Sequence, residues 1–457
     1  MMTAHSASSS KEKSDDLSFL SPEAINSLQN EKLLKQFELI AQYHPFYKDR
    51  SQKLGIKLGS LNLSKLDDFP VTSKADLAEN FDDFQLQLPD EFADPIWDIA
   101  YTSGSTSKPI PIYQTSRDFR TILLTQRRMA EIRGMNSDDR ILNLFPLTQY
   151  PHGAWTRANH AAATLGAYVA CGMSGSADGE FGATRSLSEV AHLAARIEAT
   201  VFWGVPSYVK KVLDQIAKEK LTIPKLRMIA VSGEACTTQM KSSLIELAAL
   251  IGADVQISNS LGASELQCGL VECKDGAGFH NPAPELFYFS VLDEAGRQVS
   301  EDTFGTLAVT HLDRRGTTLI KYLLGDQVRL TRSACPECGR SGGRIIAHQG
   351  RAGTLIKIRG QLVDRAVLER CVSEFPGVLD YMILISKENP LDGLSEDQLN
   401  IEVATKDGEK SDVVAIALAA QIKKEINVSP KITSVEIGNL HVENVSIKTT
   451  KFRDERS

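Results

Sequence analysis

The chain has 457 residues, of which 42% are hydrophobic and 24% are charged, and its net charge is −7. This length exceeds what one hydrophobic core usually covers, so we expect two or three domains of an ordinary globular protein, with no membrane-spanning run and no basic segment suited to nucleic acid. The odd number of cysteines, seven, does not suggest a disulfide framework and favours a reducing, cytoplasmic setting.

The first residues predict a tail followed by a helix. Residues 1–17 are rich in Ser, Lys and Asp, which predicts a disordered tail. Ser21 and Pro22 are a typical helix start, and apolar residues then recur at helical spacing as far as Ile40. Further on, Thr72 or Ser73 is expected to cap a short helix.

A loop rich in hydroxyl groups follows. Five of the six residues 102–107 are Ser or Thr, and Lys108 comes directly after them. Hydroxyls, backbone N–H groups and a cation are what a polyphosphate needs to replace its hydration, so the loop predicts a phosphate-binding site, with a plain Ser-rich turn as the alternative. Apolar residues 97–100 and 110–112 predict that the loop joins two strands.

The region from 140 to 258 alternates between short apolar runs and helical patterns. This alternation predicts parallel strands with crossover helices, and ligands in such sheets lie beyond the carboxyl ends of the strands. The predicted strands are 141–145, 167–171, 200–203, 228–231 and 255–257, and the predicted helices are 184–198, 207–218 and 237–250.

Two loops just past predicted strands could carry ligand-binding residues. They are Ser232-Gly-Glu234 and Ser260-Leu-Gly-Ala-Ser-Glu265. Each loop could instead be a helix-capping turn.

The period changes to two between 287 and 309, which predicts antiparallel β-structure. Beyond a glycine-rich connector at 350–360, the chain is expected to form a separate small α+β domain. We therefore predict an α/β protein with a large N-terminal domain, 18–350, that contains parallel or mixed sheets, and a small, mobile C-terminal domain, 351–457. Its predicted helices are 365–375 and 412–426, and its predicted strands are 382–385, 399–404 and 433–437.

Four residues within 268–340 have the chemistry of a structural zinc site. Cys335-Pro-Glu-Cys338 is a Cys-x-x-Cys knuckle, and Cys273 and His280 precede it in a Gly-rich loop. Three thiolates and an imidazole form a closed tetrahedral set that suits structural Zn²⁺. The alternatives are a redox dithiol, or Cys268 in the place of Cys273.

Taken in order, these motifs resemble those of the adenylate-forming enzymes, which include acyl-CoA synthetases, peptide-synthetase adenylation domains and luciferases. Thr102–Pro109 looks like their phosphate loop, Leu261–Glu265 like their Tyr-Gly-x-Ser/Thr-Glu motif, Tyr322–Asp326 like Tyr-Arg-Thr-Gly-Asp, and Gly350–Gly360 like their hinge motif. The phenylacetate–CoA ligase branch is suggested by four further segments, Pro45–Tyr47, Phe69–Lys74, Thr115–Asp118 and Cys335–Arg340.

The resemblance implies a role for each matching residue in binding ATP. Glu265 would bind Mg²⁺, Ser264 would contact the α-phosphate, and Asp326 would accept the ribose hydroxyls. The β- and γ-phosphates would be held by the loop residues Ser103, Gly104, Ser105, Thr106 and Lys108. The remaining nucleotide contacts would come from Glu234 at the adenine edge, Leu261 and Gly262 in the motif before the metal ligand, and Arg351 from the hinge side.

The resemblance also implies a catalytic lysine near the C-terminus and a hinge. The tail 448–456 looks like the branch's ending, which makes Lys448 the catalytic residue and Lys451 the runner-up. The family's acidic hinge residue aligns with Gly353, whose conformational freedom suits a hinge. The sequence departs from the family at Leu261, where an aromatic residue usually packs on adenine, and at Leu323 and Leu324.

The implied activity is ATP-dependent activation of a carboxylic acid, followed by thioester formation with CoA. An adenylating enzyme that hands its acyl group to an amine or a carrier protein, and a non-catalytic nucleotide-binding protein, are the alternatives. Phe145, Tyr150 and His152 lie in the region that lines the acid pocket of relatives, and their rings suit an aryl or apolar acid. The same aromatic side chains could instead belong to the core. Assembly as a homodimer is compatible with this picture.

Overall fold

The computed structural model describes residues 16–102, 109–147, 153–174, 184–234, 236–351, 355–358, 361–388, 396–405, 411–436, 440 and 451–456. None of the helices within these ranges is long and apolar enough to cross a bilayer. Asp16 and Leu17 belong to an ordered 3-10 turn, so the predicted tail is at least two residues too long.

Three helices form the N-terminal segment: α1, Pro22–Tyr43; α2, Pro45–Leu54; and α3, Lys74–Glu79. Helix α1 begins as predicted, because the Ser21 side chain accepts a hydrogen bond from the backbone of Ala24. Ser73, rather than Thr72, caps α3 and forms a capping box with Asp76.

A two-stranded hairpin and a long helix come next. The predicted strands are confirmed as β1, Ile96–Tyr101, and β2, Pro111–Thr115, which pair antiparallel. Helix α4, Ser116–Ile132, follows at once, because Thr115 and Asp118 form a capping box at its start.

The predicted alternation of strands and helices is confirmed between residues 140 and 263. The segment consists of β3 (Arg140–Leu144), α5 (Ala154–Leu165), β4 (Tyr168–Cys171), α6 (Leu187–Arg196), β5 (Val201–Gly204), α7 (Pro206–Lys218), β6 (Met228–Ser232), α8 (Thr238–Leu250) and β7 (Gln256–Ala263). Strands β3 to β7 pair in parallel, in the order β4-β3-β5-β6-β7.

The sheet continues with antiparallel strands beyond β7. These strands are β8 (Cys268–Glu272), β9 (Phe279–His280), β10 (Phe287–Leu292), β11 (Gly305–His311), β12 (Tyr322–Thr331) and β13 (Arg344–Arg351). Within the described ranges, the eleven strands form one mixed sheet in the order β10-β11-β12-β13-β9-β8-β7-β6-β5-β3-β4. Each face of the parallel half has its own buried core, since Ile141 packs on one side and Leu142 on the other.

The C-terminal residues form a small α+β unit with a separate core. Its elements are β14 (Leu355–Ile358), β15 (Gln361–Asp364), α9 (Arg365–Ser373), β16 (Val378–Lys387), β17 (Asp397–Thr405), α10 (Ser411–Ile426), β18 (Lys431–Ser434) and β19 (Phe452–Asp454). Four of the strands form a sheet in the order β18-β17-β16-β19. The two predicted helices are confirmed, and the predicted strands 382–385 and 399–404 lie within β16 and β17. The predicted strand 433–437 overlaps β18 only at its first two residues, and β14, β15 and β19 were not predicted.

Candidate active site

The ends of β6 and β7 lie side by side in the sheet. Ser232, the last residue of β6, is in register with Ser260 of β7, and β7 continues to Ala263, so the first four residues of the predicted loop 260–265 are strand. Glu234 follows β6 and Glu265 follows β7. The two predicted ligand-binding loops therefore share one edge of the sheet, as expected for loops beyond the ends of parallel strands.

Glu265 lies in a tight turn between antiparallel strands. The backbone of Leu266 donates to Ala263 O at 3.1 Å, the backbone of Gln267 donates to Ser264 O at 3.2 Å, and β8 then pairs with β7. The helix-capping alternative is therefore wrong for this loop, because no helix follows it. The hairpin instead presents Glu265 near its tip.

The same turn contacts the mouth of the predicted phosphate loop. Ser264 Oγ donates to Tyr101 O at 3.2 Å, at the end of β1. The loop is closed at its base because Thr102 N donates to Ile110 O and Ile110 N donates to Thr102 Oγ1, both at 3.0 Å. The turn that carries the predicted metal ligand thus contacts the strand that leads into the predicted phosphate loop.

Glu265 also contacts the strand that carries Asp326. Its Oε1 accepts a hydrogen bond from the Tyr322 hydroxyl at 2.9 Å, and Tyr322 begins β12. Asp326 lies on the same strand, and its Oδ1 pairs with His348 Nε2 at 2.9 Å. The backbone of Arg351 is directly opposite Asp326 in the register of β12 and β13. The two predicted nucleotide-site carboxylates are therefore connected through β12.

Glu234 contacts the first turn of helix α7. Its carboxylate accepts hydrogen bonds from Ser207 Oγ at 3.1 Å and from the backbone of Ser207 at 3.4 Å, at the start of α7. Helix α8, which follows the loop, is capped by Thr237 and not by Glu234. A contact between Glu234 and adenine stays a prediction.

The apolar residues predicted to contact ligands are partly or wholly in the core. Leu261 is half-buried against the main core. Phe145 is buried and meets the Trp203 ring edge-on, with the ring centroids 6.4 Å apart. The core alternative therefore accounts for Phe145, and its role in an acid pocket stays a prediction.

A Cβ added at Gly262 would lie 3.2 Å from Ser232 Oγ, so glycine allows β7 to pass close to that side chain.

Arg157 is a buried residue that the sequence analysis missed. It lies on α5 and is 5% exposed. Its Nη2 donates to Asp98 Oδ2 at 2.7 Å and to Gln114 Oε1 and Gln267 Oε1, each at 2.8 Å. Burial lowers the pKa of the Arg157 guanidinium, while the hydrogen bond to Asp98 acts in the opposite direction.

The partners of Arg157 come from three elements of the site. Asp98 lies on the strand before the phosphate loop, Gln114 on the strand after it, and Gln267 in the turn that follows Glu265. One guanidinium therefore joins the strands on either side of the predicted phosphate loop to the turn that follows Glu265. Periodicity and motif spacing contain no signal for such a contact between distant segments.

The predicted zinc ligands form a compact cluster. The ligand atoms of Cys273, His280, Cys335 and Cys338 all lie within 4.8 Å of one another. Cys273 Sγ is 4.0 Å from Cys335 Sγ, and Cys338 Sγ is 3.4 Å from His280 Nε2. A tetrahedral ion with Zn–S bonds of about 2.3 Å needs sulfur–sulfur distances of about 3.8 Å, so the spacing fits zinc.

The surroundings of the cluster also fit a metal. His280 Nδ1 is 3.1 Å from Val271 O, and donation to that carbonyl leaves Nε2 free to coordinate. Burial and the neighbouring thiols raise the pKa of Cys273 to about 12. At Cys338 the hydrogen bonds from Arg340 and Cys273 outweigh the effect of burial, so its pKa is lowered. A divalent cation would supply the charge needed to keep all three thiols deprotonated.

Several predicted site residues lie outside the described residues. They are Ser103, Gly104, Ser105, Thr106, Lys108, Tyr150, His152, Gly353 and Lys448. Lys451, the alternative catalytic lysine, is described. Its Nζ pairs with Asp380 Oδ1 at 3.0 Å and lies 4.9 Å from the centre of the Tyr381 ring, so it has structural partners in the small domain.

Comparison with known proteins gives a family and a fold. The model of a family described as AMP-binding enzyme matches residues 47–310. A 3-hydroxybenzoate–CoA/4-hydroxybenzoate–CoA ligase of Thauera aromatica is 23% identical over 304 residues, which are 62% of this chain and 52% of that ligase. The chain therefore spans about half the length of this curated relative.

Solved structures of a 2-hydroxyisobutyryl-CoA ligase share the fold. The structure of its postadenylation state, in complex with 2-HIB-AMP, matches with a TM-score of 0.76 at 21% identity. The match covers 95% of this chain and 89% of that chain. The structure of its thioesterification state, in complex with 2-HIB-AMP and CoA, matches with a TM-score of 0.60 at 20% identity. The match covers 94% of this chain and 89% of that chain. The predicted fold class is confirmed.

We predict that Arg157→Lys destabilises the protein by about 2–3 kcal/mol, because an ammonium offers no planar fork and leaves buried oxygens without donors. Chemical denaturation measures this change. Arg127→Lys is the control, since Arg127 forms an exposed ion pair with Glu131. This substitution should change the free energy of unfolding by less than about 0.5 kcal/mol. Equal, small effects of both substitutions would contradict the prediction.

Proposed function

Because this chain belongs to the AMP-binding enzyme family, we propose that it is an acid–CoA ligase that works through an acyl-adenylate. A carboxylate oxygen of the acid attacks the α-phosphorus of ATP, and pyrophosphate leaves. The CoA thiol then attacks the acyl carbonyl carbon, and AMP leaves with the bonding electrons. The predicted membership of the adenylate-forming enzymes is confirmed, whereas placement in the phenylacetate–CoA ligase branch is part of the proposal.

The observation that carries the proposal is the position of Glu265. Its turn contacts Tyr101 at the mouth of the phosphate loop, and its carboxylate contacts Tyr322 on the strand of Asp326. Adenylation is a substitution at phosphorus, for which a protein contributes mainly positioning and charge neutralisation. A turn that carries Glu265, lies next to the phosphate loop and contacts the strand of Asp326 is suited to this task.

The side chains would divide the nucleotide among them. Glu265 would hold Mg²⁺, which supplies positive charge to the phosphate oxygens when bound. Asp326 would accept the ribose hydroxyls, with Oδ1 oriented by His348. The hydroxyls, backbone N–H groups and ammonium of residues 103–108 would bind the β- and γ-phosphates. These roles rest on the family resemblance and on the neighbourhood of the described residues.

The acid is proposed to be aryl or apolar. The hydroxybenzoate–CoA ligase from Thauera aromatica supports an aryl acid, and the 2-hydroxyisobutyryl-CoA ligase structures support a small aliphatic one. CoA is the proposed acceptor, since both relatives are named as CoA ligases. An amine or a carrier protein is the alternative acceptor, and the first half-reaction would then be the same.

We expect acid-dependent exchange of labelled pyrophosphate into ATP when the protein is given Mg²⁺ and a panel of benzoate, hydroxybenzoate, phenylacetate and short aliphatic acids. Acid-dependent exchange is the signature of a reversible adenylation step. Addition of CoA, of amines or of carrier proteins then identifies the acceptor by the product formed. A protein that binds ATP yet exchanges pyrophosphate with none of the acids would be a nucleotide-binding protein instead.

We expect Lys448→Ala to lower exchange about 10²–10³-fold, because an ammonium near the acid and the α-phosphate would stabilise charge that develops in the transition state. Turnover of a supplied acyl-adenylate with CoA should remain close to that of the unsubstituted protein. Lys451→Ala is the matched control, since Lys451 pairs with Asp380 and should leave exchange unchanged. The reverse pattern would assign the catalytic role to Lys451.

We also propose that the cluster of Cys273, His280, Cys335 and Cys338 binds a structural Zn²⁺. The four side chains leave no open coordination position, so the ion would not take part in the chemistry. The cluster joins β8 and β9 to the segment between β12 and β13, which stabilises the antiparallel half of the sheet next to Asp326.

Elemental analysis of the purified protein is expected to find about one zinc ion per chain. Cys338→Ser should lose the ion and lower the thermal midpoint. Cys268→Ser is the control, because Cys268 is buried in β8 and does not belong to the cluster, so zinc should be retained. Loss of zinc from the Cys268 variant with retention in a Cys273→Ser variant would favour the alternative ligand set.

A further inference from the structure

Tyr322 contacts the predicted metal ligand but has no role in the reaction described above. The side chain is 1% exposed, and its hydroxyl lies 2.9 Å from Glu265 Oε1. An ionised carboxylate is only an acceptor, so the phenol is the donor of the hydrogen bond to Glu265. A hydrogen bond to a charged acceptor is among the stronger ones in proteins, and here it is partly buried.

The backbone on both sides of Tyr322 is fixed by an N-terminal segment. Thr72 N donates to Lys321 O at 3.0 Å, and Leu323 N donates to Thr72 O at 2.9 Å. On the other side of the strand, Tyr322 is in register with Val309 of β11. The tyrosine therefore cannot slide along the sheet without breaking backbone hydrogen bonds on both sides.

A second layer of buried hydrogen bonds holds Thr72 in place. The Thr72 hydroxyl donates to Ile320 O at 2.7 Å, and Ile320 N donates to the Tyr47 hydroxyl at 2.7 Å. The two hydroxyls are 3.1 Å apart, and both side chains are fully buried. Two motifs near the N-terminus, around Tyr47 and Thr72, thus fix the start of β12.

The Lys321 side chain reinforces the same contact. Lys321 is 2% exposed, and its Nζ donates to Phe69 O at 2.8 Å. The segment before Thr72 is therefore held to β12 by a buried cation as well as by backbone pairing. The position of the Tyr322 hydroxyl is set by this whole arrangement and not by the tyrosine alone.

We propose that Tyr322 is a positioning residue that orients the Glu265 carboxylate for a divalent cation bound to ATP. With Oε1 held by the phenol, the carboxylate cannot rotate freely, and Oε2 is presented in one orientation to the cation. This inference rests on the proposed function, because it takes Glu265 as the residue that meets the Mg²⁺ of MgATP.

The test compares the binding of MgATP with that of metal-free ATP to the full-length protein, without acid so that no turnover occurs. In Tyr322→Phe, the Kd for MgATP should rise about tenfold, the loss expected for one hydrogen bond to a charged group. The Kd for ATP in excess EDTA should change by less than about twofold, since Glu265 then has no cation to bind. A merely structural role would weaken both equally.

Tyr288→Phe is the matched control. Tyr288 is also a buried tyrosine of the same sheet, and its hydroxyl donates to Gln298 Oε1 at 3.0 Å, away from Glu265. Loss of this hydroxyl should lower stability to a similar extent and leave both Kd values unchanged. Thermal unfolding of the two variants checks that any difference in binding does not come from a difference in folding.

Coupling to Glu265 gives a second test. In a Glu265→Gln background the effect of Tyr322→Phe on MgATP affinity should largely disappear, because the carboxylate that the tyrosine orients is then absent. Equal ratios of the two Kd values in Tyr322→Phe and in the unsubstituted protein would overturn the inference. That result is distinct from failure of the proposed function, which would appear as absence of acid-dependent pyrophosphate exchange in the unsubstituted protein.

Discussion

The buried guanidinium of Arg157 is the interaction on which the arrangement of the site depends. A charge taken out of water is costly unless it is paired and fully hydrogen-bonded. Arg157 meets this condition only when Asp98, Gln114 and Gln267 all lie around it. The hairpin that carries the phosphate loop, the turn that carries Glu265 and helix α5 therefore have one arrangement in which this cation is satisfied.

The N-terminal segment contributes to the site in the same manner. Its sequence predicts only helices and loops. Its buried hydroxyls fix the backbone at Ile320–Leu323, where β12 begins. Tyr47 and Thr72 therefore act on the site through the backbone of β12.

Local patterns in the sequence predicted the elements and the metal cluster, while contacts between distant segments could not be predicted. Alternation of apolar runs with helical periods indicated the parallel half of the sheet, and ligand chemistry indicated the cluster of Cys273 and its partners. Glu234 shows the limit of such patterns. A glutamate that follows a strand can contact the first turn of a helix or bind a ligand, and the sequence does not distinguish the two. The pairing of Arg157 with Gln267 needs the tertiary fold, since neither residue belongs to a periodic or spaced motif.

The mixed sheet has a consequence for a reaction in two steps. Glu265 follows the last parallel strand, and Asp326 lies on an antiparallel strand, so the two halves of the sheet each supply one carboxylate. The Tyr322 hydroxyl joins these halves at the site, and its anchors Tyr47 and Ile320 belong to the main core. A small domain that changes its orientation between adenylation and thioester formation would therefore leave the relation between the two carboxylates unchanged. Only groups carried by the small domain itself would enter or leave the reacting centre.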